Sequence, residues 1–474
     1  MVKDTIAWMF KDKDALRRLL FTVGMLIVVR LLYLIPLPGV DSGAFYEFIK
    51  SAMTSTGTPR YGLLGGPFSN FTIFSLGLMP FISACILLQI ASLIIPPLRR
   101  FSFGGERGRD AVLKLTYAVT IAISILQSYY TISWLERLNV PGGNNIVVIH
   151  GLIFKLVIVF SMTAAVFFLI YIAGLITRYG IGNGVVMIIV SSFIFRIVAG
   201  IESAYDQINR SICLGDFILL ITFWAVLAWG IYYVTRRGRI LNINGPNSAV
   251  IELKASYLGT APVACASAII GLTYLLFSFS PILHVNFIWK YNLILTILLI
   301  FVFTLSYIYL VFDSKHVRSL LDRHGYSFTD AQNDPEGYLD ANMSRVLLVT
   351  SAILIVMEII PEIIRSRYQV PFQSHGLYSA SFILVSVGVF SDLIQQARFF
   401  KMKKESGIKE WGICYIAFDE IEATIKSEFL KSRQIKALVE PLRYTWGMPI
   451  RTAIDQYRIY VPSEKKDEAR ALIL

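Results

Sequence analysis

The sequence predicts an all-α polytopic membrane protein of ten transmembrane helices, followed by a small α+β domain of ferredoxin-like order. Three observations carry this. Of 474 residues 55% are apolar and only 16% charged, whereas soluble domains run near a quarter charged. Ten apolar stretches are about 20 residues long, enough to cross a bilayer. Beyond residue 396 the composition turns abruptly charged and the periodicity becomes that of a miniature soluble domain.

The stretches fall at 16–35, 74–95, 112–134, 150–175, 184–202, 214–235, 257–280, 291–312, 344–361 and 375–396. Lys3, Lys11, Lys13, Arg17 and Arg18 precede the first, which runs too long and lacks a small-residue cleavage site, so it reads as an anchor and not a removable signal. The stretch at 184–202 holds Arg196, and that at 257–280 is rich in Gly, Ala and Ser, as helices packed inside a bundle are. An even count puts both termini on one side. Most of the 44 Lys and Arg fall on that side, so the positive-inside rule makes both termini cytoplasmic. The net charge of +12 thus reads as topology and not as nucleic-acid binding.

Three connections stand out. The segment 36–74 is external, and its end, Gly65-Gly66-Pro67-Phe68-Ser69-Asn70-Phe71-Thr72-Ile73-Phe74, is apolar but too short and Gly-broken to cross. It reads as a re-entrant half-helix, which survives at membrane depth only when buried in protein or lining a cavity. The cytoplasmic connections 236–256, with Arg236, Arg237, Arg239 and Lys254, and 313–344, with Lys315, Arg318 and Arg323, are either solvated loops or docking points for a cytoplasmic partner.

After the last span, Lys401, Lys403 and Lys404 form a basic cluster suited to anionic lipid. The order strand 411–418, helix 419–434, strands 435–442 and 456–461, and helix 463–474 makes the α+β domain, with Asp419 as cap of its first helix and Glu422 at the capping-box position.

No phosphate loop is present, no His pair has the helical zinc-protease spacing, and Cys85, Cys213, Cys265 and Cys414 include no C-x-x-C. No catalytic residue, metal site or cofactor is expected, and the chain does not read as an enzyme. Arg30, Lys155, Arg196 and Glu358 are the ionisable residues within spans; Arg30 and Glu358 lie near the external face, where snorkelling is the simpler reading. Midplane acids are too few for a proton relay. Gln89 and Gln127 read as amides hydrogen-bonding across a helix pair, or, if that pair must part, as residues setting the energy of opening.

Several motifs then resemble one family in order along the chain. Gly65-Gly66, Ile73-Phe74, Leu76-Gly77 and Met79-Pro80 resemble the plug and second helix of the SecY family, the channel subunits of the bacterial Sec translocon. Ile176-Thr177 with Gly180-Ile181-Gly182-Asn183-Gly184 resembles the motif that opens its fifth helix. Arg30 with Ile35-Pro36-Leu37-Pro38-Gly39-Val40, Gly105-Glu106 with Gly108-Arg109, and Pro361-Glu362 with Val370-Pro371-Phe372 continue the match to about residue 400.

The resemblance implies two inverted five-helix halves, 16–202 and 203–400. The residues place an N-terminal cytoplasmic or interfacial segment 1–15 before them and a soluble cytoplasmic domain 405–474 after them, and this last domain is not part of the family's common pattern. It implies a pore ring of Leu78, Ile82, Val185, Ile189, Ala261 and Val385, and a plug at about 64–74 comprising Gly65 to Phe71, Ile73 and Phe74. A lateral gate would involve Gln89, Gln127 and Ser256. An apolar ring dewets and bars ions, while its non-directional contacts let a polypeptide slide. The implied partners are secretory preproteins, SecE-like and SecG-like small membrane subunits, and a SecA-type motor ATPase or the ribosome, in the bacterial cytoplasmic membrane.

The pattern also departs from the family. The loop that usually carries Arg-Pro-Gly reads Asp330-Ala331-Gln332-Asn333-Asp334-Pro335-Glu336-Gly337, Ser256 stands where an Asn is usual, and the 236–256 loop is less basic than expected. These departures weaken the expectation of motor and ribosome docking and point to a divergent or accessory translocase. The alternatives are a secondary transporter, which saturable solute uptake would reveal, and a dedicated insertase for special substrates.

Overall fold

The computed structural model describes residues 2–41, 43–45, 71–95, 98, 105–137, 146–192, 222, 225, 238–244, 249–254, 266, 294–305, 314–328, 334–368, 380–408, 410–417, 420–442 and 456–473. Helix α1 (Val2–Lys11) leads into α2 (Lys13–Leu32), then α3 (Met79–Ile94), α4 (Gly105–Leu135) and α5 (Leu152–Tyr179). Three helical stretches are long and apolar enough to cross a membrane among the described residues: Asp110–Leu135, Leu152–Tyr179 and Pro335–Val356. Their outward faces are apolar, with Ile153 80% and Phe160 77% exposed, as a lipid-facing surface requires.

Asp12 starts α2. Its carboxylate accepts from the N–H groups of Asp14 at 3.0 Å and Ala15 at 3.1 Å, satisfying two of the donors that a helix start leaves open. The same carboxylate pairs with Lys404, near the end of the last long helix, so the two ends of the membrane region are tied on one side. At the other side, residues 35–45 and 71–76 form a small packed layer. Leu37 N–H donates to the Phe71 carbonyl at 3.1 Å, Ile73 N–H to Ile35, and the Phe45 and Phe71 rings meet edge-on at 5.4 Å.

α3 packs along α4, and α4 along α5. On α4 the hydroxyl residues Thr116, Thr120, Ser124 and Ser128 recur every fourth position and are buried, which allows close helix approach. Thr116 and Thr120 return their hydroxyls to the carbonyls four residues earlier. Two of the ionisable residues within spans, Lys155 and Arg30, have partners in the protein, and Arg196 lies outside the described residues. Lys155 pairs with Glu136 at 2.6 Å. Arg30, for which snorkelling was the simpler expectation, turns to Ser191 Oγ at 3.2 Å and lies over the Tyr33 ring.

The connections 236–256 and 313–344 differ from separate loops. Strand β1 (Gly238–Asn244) pairs antiparallel with β2 (Ala249–Lys254), placing Gly238 opposite Lys254, and with β3 (Ser327–Phe328), placing Ile243 opposite Phe328. Strand order β2-β1-β3 therefore fuses two connections that lie some 70 residues apart in sequence into one sheet. Helix α6 (Ser314–Arg323) precedes β3, and the long helices α7 (Pro335–Tyr368) and α8 (Ala380–Glu405) follow, both extending past their apolar stretches.

The C-terminal unit is β4 (Trp411–Ala417), α9 (Glu420–Ser432), β5 (Leu438–Leu442), β6 (Gln456–Pro462) and α10 (Lys466–Ile473), in the element order expected. Its sheet runs β4-β6-β5, antiparallel throughout. Cys414, Leu430, Ile435, Ile459, Val461, Ala469 and Ile473 form its core. Burial pushes the Cys414 thiol up to about 11, so it behaves as a small apolar side chain. Glu422 faces inward: it accepts from the Tyr415 hydroxyl at 2.8 Å and pairs with Lys426, whose ammonium lies 3.5 Å from the centre of the Tyr415 ring. Asp419, read as the cap, lies outside the described residues.

The hydrogen bond from Lys404 holds the Asp12 carboxyl below its ordinary 3.8. A lowered carboxyl stabilises the fold above that ordinary value and ceases to as pH falls through the lowered one. Asp12→Ala is expected to cost about 1 kcal/mol, read as a lower thermal midpoint in detergent at pH 7, and the gap to wild type is expected to close as pH is brought below 3.8.

Candidate functional site

A continuous apolar core lies where residues from 29 to 303 converge. Val29 and Tyr33, Phe74 and Leu78, Phe81, Ile82, Cys85 and Ile86 of α3, Ala165, Leu169, Ile172, Ala173 and Ile176 of α5, Val185, Val186 and Ile188, and Phe303 of the helix Ile294–Leu305 form one buried cluster. Ile189, Leu299 and Leu393 pack against it. Four of the six ring residues expected from sequence thus sit in or on one apolar body: Leu78 at 5%, Ile82 at 2% and Val185 at 7% exposure, with Ile189 beside them. Val385 lies on α8, and Ala261 lies outside the described residues.

This convergence depends on the turn after α5. Gly182 has φ +84, a conformation that favours glycine. Gly184 is pressed so closely on α5 that any Cβ would run into the Ala173 backbone. Because the turn is buried, its N–H groups need partners, and three helices provide them. Thr22 of α2 accepts from Ile181 N–H at 2.9 Å, Thr177 of α5 accepts from Gly184 N–H at 2.8 Å, and Gln396 of α8 accepts from Gly182 N–H at 2.5 Å. Asn183 Oδ1 accepts from Val185 N–H at 3.1 Å and so caps the next helical residues, 184–192. The glycine motif is legible in sequence, but Thr22 and Gln396 are not; the available signal for Gln396 was an amide at the end of the last apolar stretch.

Of the residues expected to form a plug, Phe71, Ile73 and Phe74 are described: Phe71 belongs to the layer with Leu37 and Phe45, Phe74 to the central cluster, and Ile73 packs against both. Gly65, Gly66, Pro67, Phe68, Ser69 and Asn70 lie outside the described residues. Gln127 is half-buried on α4 beside the buried Ser124 and Ser128, whose hydroxyls have no hydrogen-bond partner among the described residues. Gln89 lies on α3, and Ser256 is outside the described residues.

The basic residues of the two long connections divide. Arg239 and Lys254 sit on the paired strands β1 and β2, and Lys315, Arg318 and Arg323 on α6. Lys315 and Arg323 are exposed, whereas Arg318 is engaged by Glu336 at 3.0 Å and Asp322 at 3.6 Å. Arg236 and Arg237 lie outside the described residues. Among the described residues no cluster of His, Cys, Asp or Glu has metal-ligand geometry.

The fold is shared with solved membrane channels that conduct protein. A structure titled as that of a protein conducting channel superposes with TM-score 0.57 at 14% identity, covering 83% of this chain and 94% of that one. Sec61 from a canine ribosome-channel complex of the endoplasmic reticulum gives TM-score 0.52 at 13% identity with the same coverage. At the sequence level, the SecY family model matches residues 72–394. The protein translocase subunit SecY of Aquifex aeolicus is 27% identical over 424 residues, 84% of this chain and 97% of that protein. The Escherichia coli K12 subunit of the same name is 29% identical over 426 residues, 83% and 94% respectively. The chain belongs to the SecY family.

Gln396→Leu would leave the buried Gly182 N–H without its acceptor. It is expected to cost about 1–3 kcal/mol, measured as a fall in the unfolding midpoint of the purified protein, while a surface change such as Lys401→Gln leaves the midpoint in place.

Proposed function

We propose that this SecY-family chain is the pore-forming subunit of a Sec-type preprotein translocase, moving unfolded polypeptides across or into the membrane. The observation that carries the reading is the single apolar body in which Leu78, Ile82 and Val185 are buried with Ile189 against them, made by helices spread along the chain from α2 to Ile294–Leu305. A collar of such side chains excludes water and ions at rest and yields to a threaded chain, because it offers no directional bond to hold it. Ala261 and Val385 complete the proposed ring.

In this reading ten spans form two inverted five-helix halves, 16–202 and 203–400. Residues 64–74 stopper the external funnel, and the stem Phe71–Phe74 anchors that plug to the 35–45 layer. Apolar segments leave sideways past Gln89, Gln127 and Ser256. The family match, the apolar spans and the excess of basic residues on the side of the termini support placement in a bacterial cytoplasmic membrane with both termini inside. The chain is passive: a SecA-type motor or the ribosome supplies the work, and SecE-like and SecG-like subunits steady the halves. Lys315 and Arg323 are the exposed cations best placed to meet a cytoplasmic partner, and Lys401 meets anionic headgroups.

A second reading, a translocase dedicated to special substrates, is favoured by one fact: the family match ends at residue 394, before the C-terminal unit begins. Deleting 405–474 separates the two. General export persists if the unit serves a dedicated cargo and falls if it serves the channel itself.

The ring is tested in planar bilayers. Ile82→Gly combined with Ile189→Gly is expected to raise the resting ion conductance several-fold over wild type. Unchanged conductance would remove these residues from the constriction.

A further inference from the structure

The C-terminal unit touches the channel at two separate places, and the pair of contacts has a mechanical consequence. On one side, α9 seats on the segment from α6 to β3. The His324 ring meets Phe429 edge-on at 4.7 Å, and the Tyr326 phenol, 2% exposed, faces Ser432 and the Glu428 carboxylate. On the other side, the sheet seats on the end of α8: Phe399 packs on Tyr460 at 5.3 Å, and the Lys403 ammonium lies 4.3 Å from the centre of the Tyr460 ring. Tyr460 in turn donates to Glu440 at 2.8 Å, so its ring is held in place from within the unit.

We propose that the C-terminal unit is a clasp: by gripping the 314–328 loop through Phe429 and the last span through Tyr460, it makes loop and span move as one body. The inference concerns the cytoplasmic loop and the end of α8 and rests on the proposed function only for which side of the membrane they occupy. It also leaves exposed Lys315 and Arg323, beyond the seat, as the part of α6 open to a further partner.

The seat has a built-in sensitivity. His324 Nδ1–H donates to the Leu320 carbonyl at 2.7 Å, and the ring is buried. Burial is the largest influence and opposes its protonation, as do Lys426 on α9 and Arg323 on its own segment, whereas the bond to Leu320 and Glu422 on α9 favour it; the balance holds His324 below its ordinary 6.5. A group lowered in the docked state takes up its proton more readily when released, so docking is complete above pH 6.5 and weakens as pH falls below it.

The test is hydrogen exchange on the full chain in nanodiscs, with Phe429→Ala on the clasp and His324→Ala on the loop. Each variant is expected to speed exchange about tenfold across the contact: residues 314–328 in Phe429→Ala, and 420–432 in His324→Ala. Residues 456–462 stay protected in both, reporting that the unit remains folded. Between pH 7.5 and 5.5 wild type is expected to lose protection at both segments by up to about tenfold, and His324→Ala to lose that dependence. Acceleration confined to the mutated side, with the far side as in wild type, would overturn the clasp. If Phe429→Ala unfolds the unit, His324→Ala decides alone, since it lies outside it. None of these readouts involves transport, so the clasp and the channel reading fail separately.

Discussion

A buried turn between two membrane helices must find hydrogen-bond partners within the protein, because neither hydrocarbon nor a packed interior offers water. At residues 180–184 this requirement recruits side chains from α2, α5 and α8, three helices with no sequence proximity to one another. Gly182 permits the backbone to turn, and Gly184 permits α5 to lie against the next helix without a gap. Once that turn is bolted, Val185, Val186 and Ile188 have one direction in which to point, and it is into the central cluster. The motif that marks the family in sequence is therefore the fastening of its core.

In the proposed function, the cluster is what makes the protein both tight and yielding. Its residues are aliphatic or aromatic, so cohesion comes from non-directional packing and the exclusion of water. A polar lining would hold ions and grip a passing side chain; an apolar one does neither. Polar side chains near the core are spent on fastening instead: Arg30 on Ser191, Thr22 on the turn, Gln396 on Gly182. Structural polarity and the apolar core thus occupy different atoms of the same helices.

On the face that carries β1 to β3 the organising force changes to strand pairing and aromatic contact. β1 carries β2 on one edge and a two-residue β3 on the other, so a hairpin from one connection captures the other. The C-terminal unit then adds α9 to this surface and β6 to α8, through rings and a cation over a ring.

Sequence alone determined the membrane class, the stretches that become α2, α3, α4, α5, α7 and α8, and the order of elements in the C-terminal unit, since each rests on local hydropathy and period. The glycine motif and the apolar identity of Leu78, Ile82, Val185 and Ile189 were legible for the same reason. Tertiary structure decided what local pattern cannot encode. It turned Arg30 inward, chose Gln396 as the acceptor for Gly182, joined two loops into one sheet, and brought Phe429 to His324. Each of these joins residues that are distant along the chain, and a partner's distance leaves no mark on the residues beside either one.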